Sequence, residues 1–108
     1  YKDFSGVVDE VDEGDLIAEA LGDKKVIILQ NHGILTTGPS IDIALWFYTS
    51  MERCCQAQLM ADAAGETQLI PHDTAIKTRS FIANDVAAWA SFQPAFDMIC
   101  KKEPDLFD

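Results

Sequence analysis

A chain of 108 residues, 48% hydrophobic and 24% charged, has room for one domain, and a domain of this size buries a smaller share of its surface than a longer one. Eight lysines and arginines against 18 aspartates and glutamates give a formal net charge of −10, which argues against nucleic acid or an anionic membrane surface as partners, because both attract basic patches. The longest apolar run is the six residues from Ile43 to Tyr48, far short of the roughly 18 that span a bilayer.

The first element in chain order is a helix opening in an acidic stretch, Asp9 to Asp15. Gly14, Ile17, Ala18 and Leu21 fall at i, i+3, i+4 and i+7, which is one helical face. Carboxylates at the start and Gly22 after the end suit the helix dipole and a glycine cap. Lys25 to Gln30 encloses four consecutive apolar residues, Val26 to Leu29. Such a run predicts a strand covered on both faces. Asn31-His32-Gly33 then predicts a turn, with Gly33 letting the backbone turn closely, and Ile34 to Thr37 a second strand closed by Gly38-Pro39.

Ser40 stands where a helix N-cap belongs, and the helix that follows can run to Ala64, with Gly65 as its stop. Its apolar stripe runs from Ala44 to Leu59, and its first half, Ile41 to Tyr48, is apolar nearly all round, which predicts more than one covering neighbour. Glu66 to Pro71 reads as a linker. Asp73 can cap a helix to about Ala83 and Asp85 can cap a last one, whose stripe is Trp89, Phe92, Phe96 and Ile99. Pro94 lies inside that last helix and is expected to kink or divide it. Two confident strands do not make an independent sheet covered on both faces. Phe4 to Val8 supplies at most one more.

Few residues carry recognisable chemistry. Cys54, Cys55 and Cys100 form no spaced pair and read as reduced, intracellular thiols. His72, between Pro71 and Asp73, reads as a polar residue at a helix entry. His32 sits at the rim between a buried strand and a glycine, a position open to both a structural, hydrogen-bonded histidine and a ligand. No nucleophile elbow, phosphate loop, dinucleotide fingerprint or H-E-x-x-H motif occurs in the sequence.

Val26-Ile-Ile-Leu-Gln-Asn-His-Gly-Ile-Leu-Thr-Thr-Gly38, then Ile41-Asp42-x-Ala44 and the helix carrying Glu52-Arg-Cys-Cys-Gln-Ala-Gln-Leu59, resembles the class II aldolase/adducin head domain family, with the eukaryotic aldolase/adducin-like group as the nearest flavour. Phe4 to Val8, Glu13-Gly14-x-x-Ile17-Ala18 and the late Phe92-Gln93-Pro94 also fit. The resemblance implies a three-layer α/β/α sandwich about twice this length. In the family's enzymes three histidines hold a zinc ion, and the N-H-G histidine, here His32, is one of them. The implied activity is zinc-dependent making or breaking of a carbon–carbon bond in small hydroxy-carbonyl (sugar) substrates by a homo-oligomeric, cytoplasmic lyase. The family also implies a rival, a non-catalytic scaffold of the adducin type associated with actin and spectrin. The family's upstream H-x-H pair, catalytic glutamate and phosphate loop do not occur in residues 1–108, and the chain opens on Tyr1 rather than Met. It is therefore expected to be the C-terminal half of the head domain, inactive alone, with apolar strand edges and helix faces exposed.

Overall fold

The computed structural model describes residues 1–2 and 11–107, with the side chains described from residue 13 onward in the first helix. The expected strand from Phe4 to Val8 lies outside the described residues. The order is α1 (Val11–Leu21), β1 (Val26–Leu29), β2 (Gly33–Thr36), α2 (Ile41–Ala64), α3 (His72–Ile82) and α4 (Asp85–Lys102), closed by a 3-10 turn at Pro104–Phe107.

The strands form an antiparallel pair in which Val26 lies opposite Thr36, Ile27 opposite Leu35, Ile28 opposite Ile34 and Leu29 opposite Gly33. Side chains alternate across a strand, so the pair has two faces and each takes a helix. Ile27 and Leu29 are buried against Ile17 of α1, with Tyr1, Leu21 and Leu35 packed around them. On the other face, Val26 meets a second cluster of Ile43 and Phe47 from α2 and Ala88 from α4. The Thr36 hydroxyl donates to the Ala44 carbonyl at 2.9 Å, binding β2 to the first turn of α2. Helix, sheet and helix thus form three layers, the α/β/α arrangement that the family resemblance implies.

Local chemistry explains most element ends. Gly22 takes the left-handed conformation, φ 55°, and its N–H donates to the Ala18 carbonyl at 2.9 Å, which closes α1. Ser40 is the extended N-cap residue of α2, but its hydroxyl makes no capping bond. The next two starts differ from expectation. Pro71, rather than Asp73, precedes α3, and Asp73 lies within the first turn. Asn84, rather than Asp85, caps α4: its side chain accepts from the Ala87 N–H at 2.9 Å. Helix α4 also runs undivided through Pro94. Lys25 Nζ stands 2.9 Å from Asp85 Oδ1, a half-exposed pair joining the start of β1 to the start of α4, worth about 0–1 kcal/mol.

Burial is thinner than the apolar pattern predicts. Ile28, expected to be covered, is 48% exposed, so only one face of β1 is fully sealed. In the first half of α2, Ile43 and Phe47 are buried one turn apart, whereas Ile41 is 76% exposed and Leu45 and Tyr48 are open. Of the stripe expected to seat α4, Phe92 is half-buried while Trp89, Phe96 and Ile99 are exposed, and Ala88 makes the seat instead at 0% exposure. No residue of α3 is buried. The radius of gyration is 16.6 Å, against about 13 Å for a compact domain of this length. Apolar faces that would be covered in a closed sandwich are therefore open to solvent.

Gly38 turns β2 toward α2 in a confined space, where an added Cβ would meet Ile43 Cγ2 at 2.9 Å and the Ala44 nitrogen at 3.1 Å. Among the described residues, a Cβ on Gly14, inside α1, meets nothing within 4 Å. Urea unfolding should therefore show opposite signs, with Gly38→Ala losing about 1–3 kcal/mol and Gly14→Ala gaining about 0.5–1 kcal/mol.

Candidate functional site

His32 lies in the three-residue turn Gln30–His32 that joins β1 to β2. The His32 N–H donates to the Leu29 carbonyl at 3.1 Å, and the Thr37 N–H to the Lys25 carbonyl at 2.9 Å at the far end of the pair. The turn depends on Asn31, which has φ 60°, a left-handed conformation that asparagine tolerates better than most residues with a Cβ. Gly33, expected to supply that freedom, does not: it is the first residue of β2, without positive φ, and open space surrounds its Cβ position. A tight hairpin turn on a strand packed by Ile27 and Leu29 thus sets His32 at the carboxyl end of β1, exposed to solvent.

The other candidate residues stay apart from it. His72 opens α3, which packs on α4 and on neither strand. Cys54 is exposed and Cys55 half-buried on α2, Cys100 lies on α4, and all three thiols are free. Among the described residues no three His, Cys, Asp or Glu side chains converge as a metal site. Zinc in proteins takes three or four such ligands. The described residues alone therefore do not fit a complete zinc site.

Apolar recesses lie elsewhere, two of them against α2. One, of about 420 Å³, runs between α2, α3 and α4 and includes Trp46, Phe47, Met51, Phe81 and Ile82. The other, of about 470 Å³, lies between Ile28 and the middle of α2, with Met51, Cys55 and Leu59 on its wall. Neither includes His32.

The sequence profile described as the class II aldolase and adducin N-terminal domain matches residues 4–59, the stretch holding α1, the hairpin and most of α2. The chain belongs to the class II aldolase and adducin N-terminal domain family. Relatives within and around the family include the decarboxylase NovR of Streptomyces niveus, 39% identical over 98% of this chain and 39% of that protein. The chain is also similar to a protein of Streptomyces roseochromogenus subsp. oscitans named 4-hydroxy-3-prenylphenylpyruvate oxygenase/4-hydroxy-3-prenylbenzoate synthase, 38% identical over 98% of this chain and 38% of that protein's length. In structure the chain matches L-fuculose 1-phosphate aldolase from Glaciozyma antarctica PI12, with a TM-score of 0.82 and 39% identity over 92% of this chain and 39% of that one. The chain thus spans about two fifths of the length of the curated relatives it matches. None of the described helices is long and apolar enough to cross a membrane.

Two features of this class II aldolase-type hairpin are not evident from its sequence pattern: the left-handed Asn31 and the pairing of Tyr1 beside β1. An asparagine inside a short turn is the signal for the first; nothing local signals the second. If Asn31 carries the strain of the turn, Asn31→Val should cost about 1–2 kcal/mol and lower the melting temperature by about 5–10 °C. Asn31→Gly should stay within about 0.5 kcal/mol of the parent.

Proposed function

We propose that these 108 residues form the C-terminal part of a class II aldolase-type head domain, and that His32 is one metal ligand in a longer lyase. The substrate class is a small hydroxy- or keto-carbonyl compound, and the reaction makes or breaks a carbon–carbon bond beside the carbonyl. One observation carries the proposal: an exposed imidazole on a backbone-braced turn at the carboxyl end of a sheet strand. Ligand sites in open α/β sheets lie outside such strand ends. The names of the relatives support the bond type, since an aldolase and a decarboxylase both break a carbon–carbon bond.

Zinc in such a domain supplies Lewis acidity toward a carbonyl oxygen. One imidazole is far short of the required ligand set, and the described residues supply no group of three. In this reading the remaining ligands come from elsewhere in the longer protein, which works in the cytosol as a homo-oligomer. The open faces of α2, α3 and α4 suit such burial. The family's adducin branch supplies the rival function, a scaffold that needs no metal.

The test is metal analysis of the longer protein that carries this segment, assayed beside its His32→Ala and His72→Ala variants. The parent should hold about one zinc per chain and cleave a hydroxy- or keto-carbonyl substrate. His32→Ala should lose more metal affinity than the roughly 10–100-fold that loss of an outer-shell partner costs, and His72→Ala should match the parent. Equal metal content in the parent and His32→Ala overturns the ligand assignment. A metal-free, inactive parent assigns the domain to the scaffold branch.

A further inference from the structure

The edge of β1 opposite β2 is already half engaged, and the engaged groups specify a direction. The Tyr1 α-ammonium donates to the Ile28 carbonyl at 2.8 Å, and the Gln30 N–H donates to the Tyr1 carbonyl at 3.0 Å. One residue that donates to residue 28 and accepts from residue 30 forms the repeating unit of a parallel ladder, with Tyr1 opposite Leu29. An antiparallel neighbour would exchange both bonds with a single residue.

The parity of β1 agrees. The Lys25 and Leu29 carbonyls bond on the β2 side, so the backbone groups of residues 26, 28 and 30 face the Tyr1 side. Among the described residues, none pairs with the Val26 N–H, the Val26 carbonyl or the Ile28 N–H along that edge. Tyr1 also packs with Ile17, Ile27 and Leu29. Parallel neighbours need a crossover of a dozen residues or more, usually helical. The chain between Tyr1 and Val26 contains α1, which covers that same face.

We infer that Tyr1 is the last residue of a strand running parallel to β1, and that this edge of β1 is the docking site for the segment leading into Tyr1. Strand, α1 and β1 then make one βαβ unit. This inference rests on the reading that the chain belongs to a longer protein. The geometry specifies the register. The second residue before Tyr1 lies opposite Ile27, donates its N–H to the Val26 carbonyl, accepts from the Ile28 N–H and turns its side chain toward α1. The residue immediately before Tyr1 points its N–H away from β1. A second copy of this chain adding a strand to the same exposed edge is the competing occupant.

The experiment extends the full 108-residue chain at its N-terminus with Val-Thr-Val-Thr, or with four Gly-Ser residues as a control, and follows amide hydrogen exchange by NMR. The strand-forming extension should slow exchange of the Ile28 amide at least about tenfold relative to the control, independent of protein concentration. Proline at the second residue before Tyr1 should abolish that protection, whereas proline immediately before Tyr1 should preserve it, since only the first removes a ladder donor. Equal exchange in the strand-forming and Gly-Ser chains overturns the inference, whatever the absolute level. So does equal tolerance of the two prolines, or protection that grows with concentration and marks a second copy on the edge. The sequence preceding Tyr1 tests the longer-protein reading separately, since the exchange result depends only on the edge.

Discussion

The ladder between β1 and β2 is the constraint on which the rest of the chain depends. It is only four residues a side, yet it fixes which side chains look up and which look down. Ile27 and Leu29 look toward α1, and Val26 looks toward α2 and α4. A one-residue slip would exchange those faces, bringing Ile28 against α1 and leaving Leu29 in the open. The same register places His32 at the tip and the Lys25–Asp85 pair at the base. Register is held by side-chain burial on one face and by two bonds closing the hairpin ends, rather than by the number of strands.

Burial around that ladder is sufficient to orient the helices and insufficient to seal them. Each cluster has three buried members, and fully burying a side chain such as Phe47 or Ile43 contributes about 1.5–3 kcal/mol. Against this stand long exposed stretches, above all the second half of α2 and all of α3. Large apolar side chains such as Leu59, Met60, Leu69 and Phe81 remain in water. Exposed apolar surface of this extent marks an interaction face, and the chain matches two fifths of the fuculose-phosphate aldolase chain.

Much of this was legible in the residues. The 24-residue span of α2 follows from Ser40 and Gly65 at its ends, and β1 and β2 follow from two apolar runs separated by Gln30-Asn31-His32. The exposed place of His32 follows from the polar turn that holds it. Apolar character, by contrast, does not reveal how much of it this chain covers with its own atoms. Ile28, Ile41 and Trp89 look like core and are open, because periodicity shows which face is apolar and not what packs on it. Capping misled for a smaller reason. Asp73 and Asp85 lie in first turns, where a carboxylate suits the helix dipole as well as it suits a cap. Asn84 was masked by its acidic neighbour. The pairing of Tyr1 with β1 is non-local, and no periodicity encodes it.

The way His32 is mounted has a consequence for how such domains diversify. Its backbone is held by bonds within its own hairpin and by a left-handed asparagine. Sequences around it can change, acquiring new pockets or losing old ones, while the imidazole stays where it is. A hairpin that fixes its own turn can hold a side chain at its tip while the residues around it vary. Relatives named for decarboxylation, oxygenation and aldol chemistry accord with that division of labour.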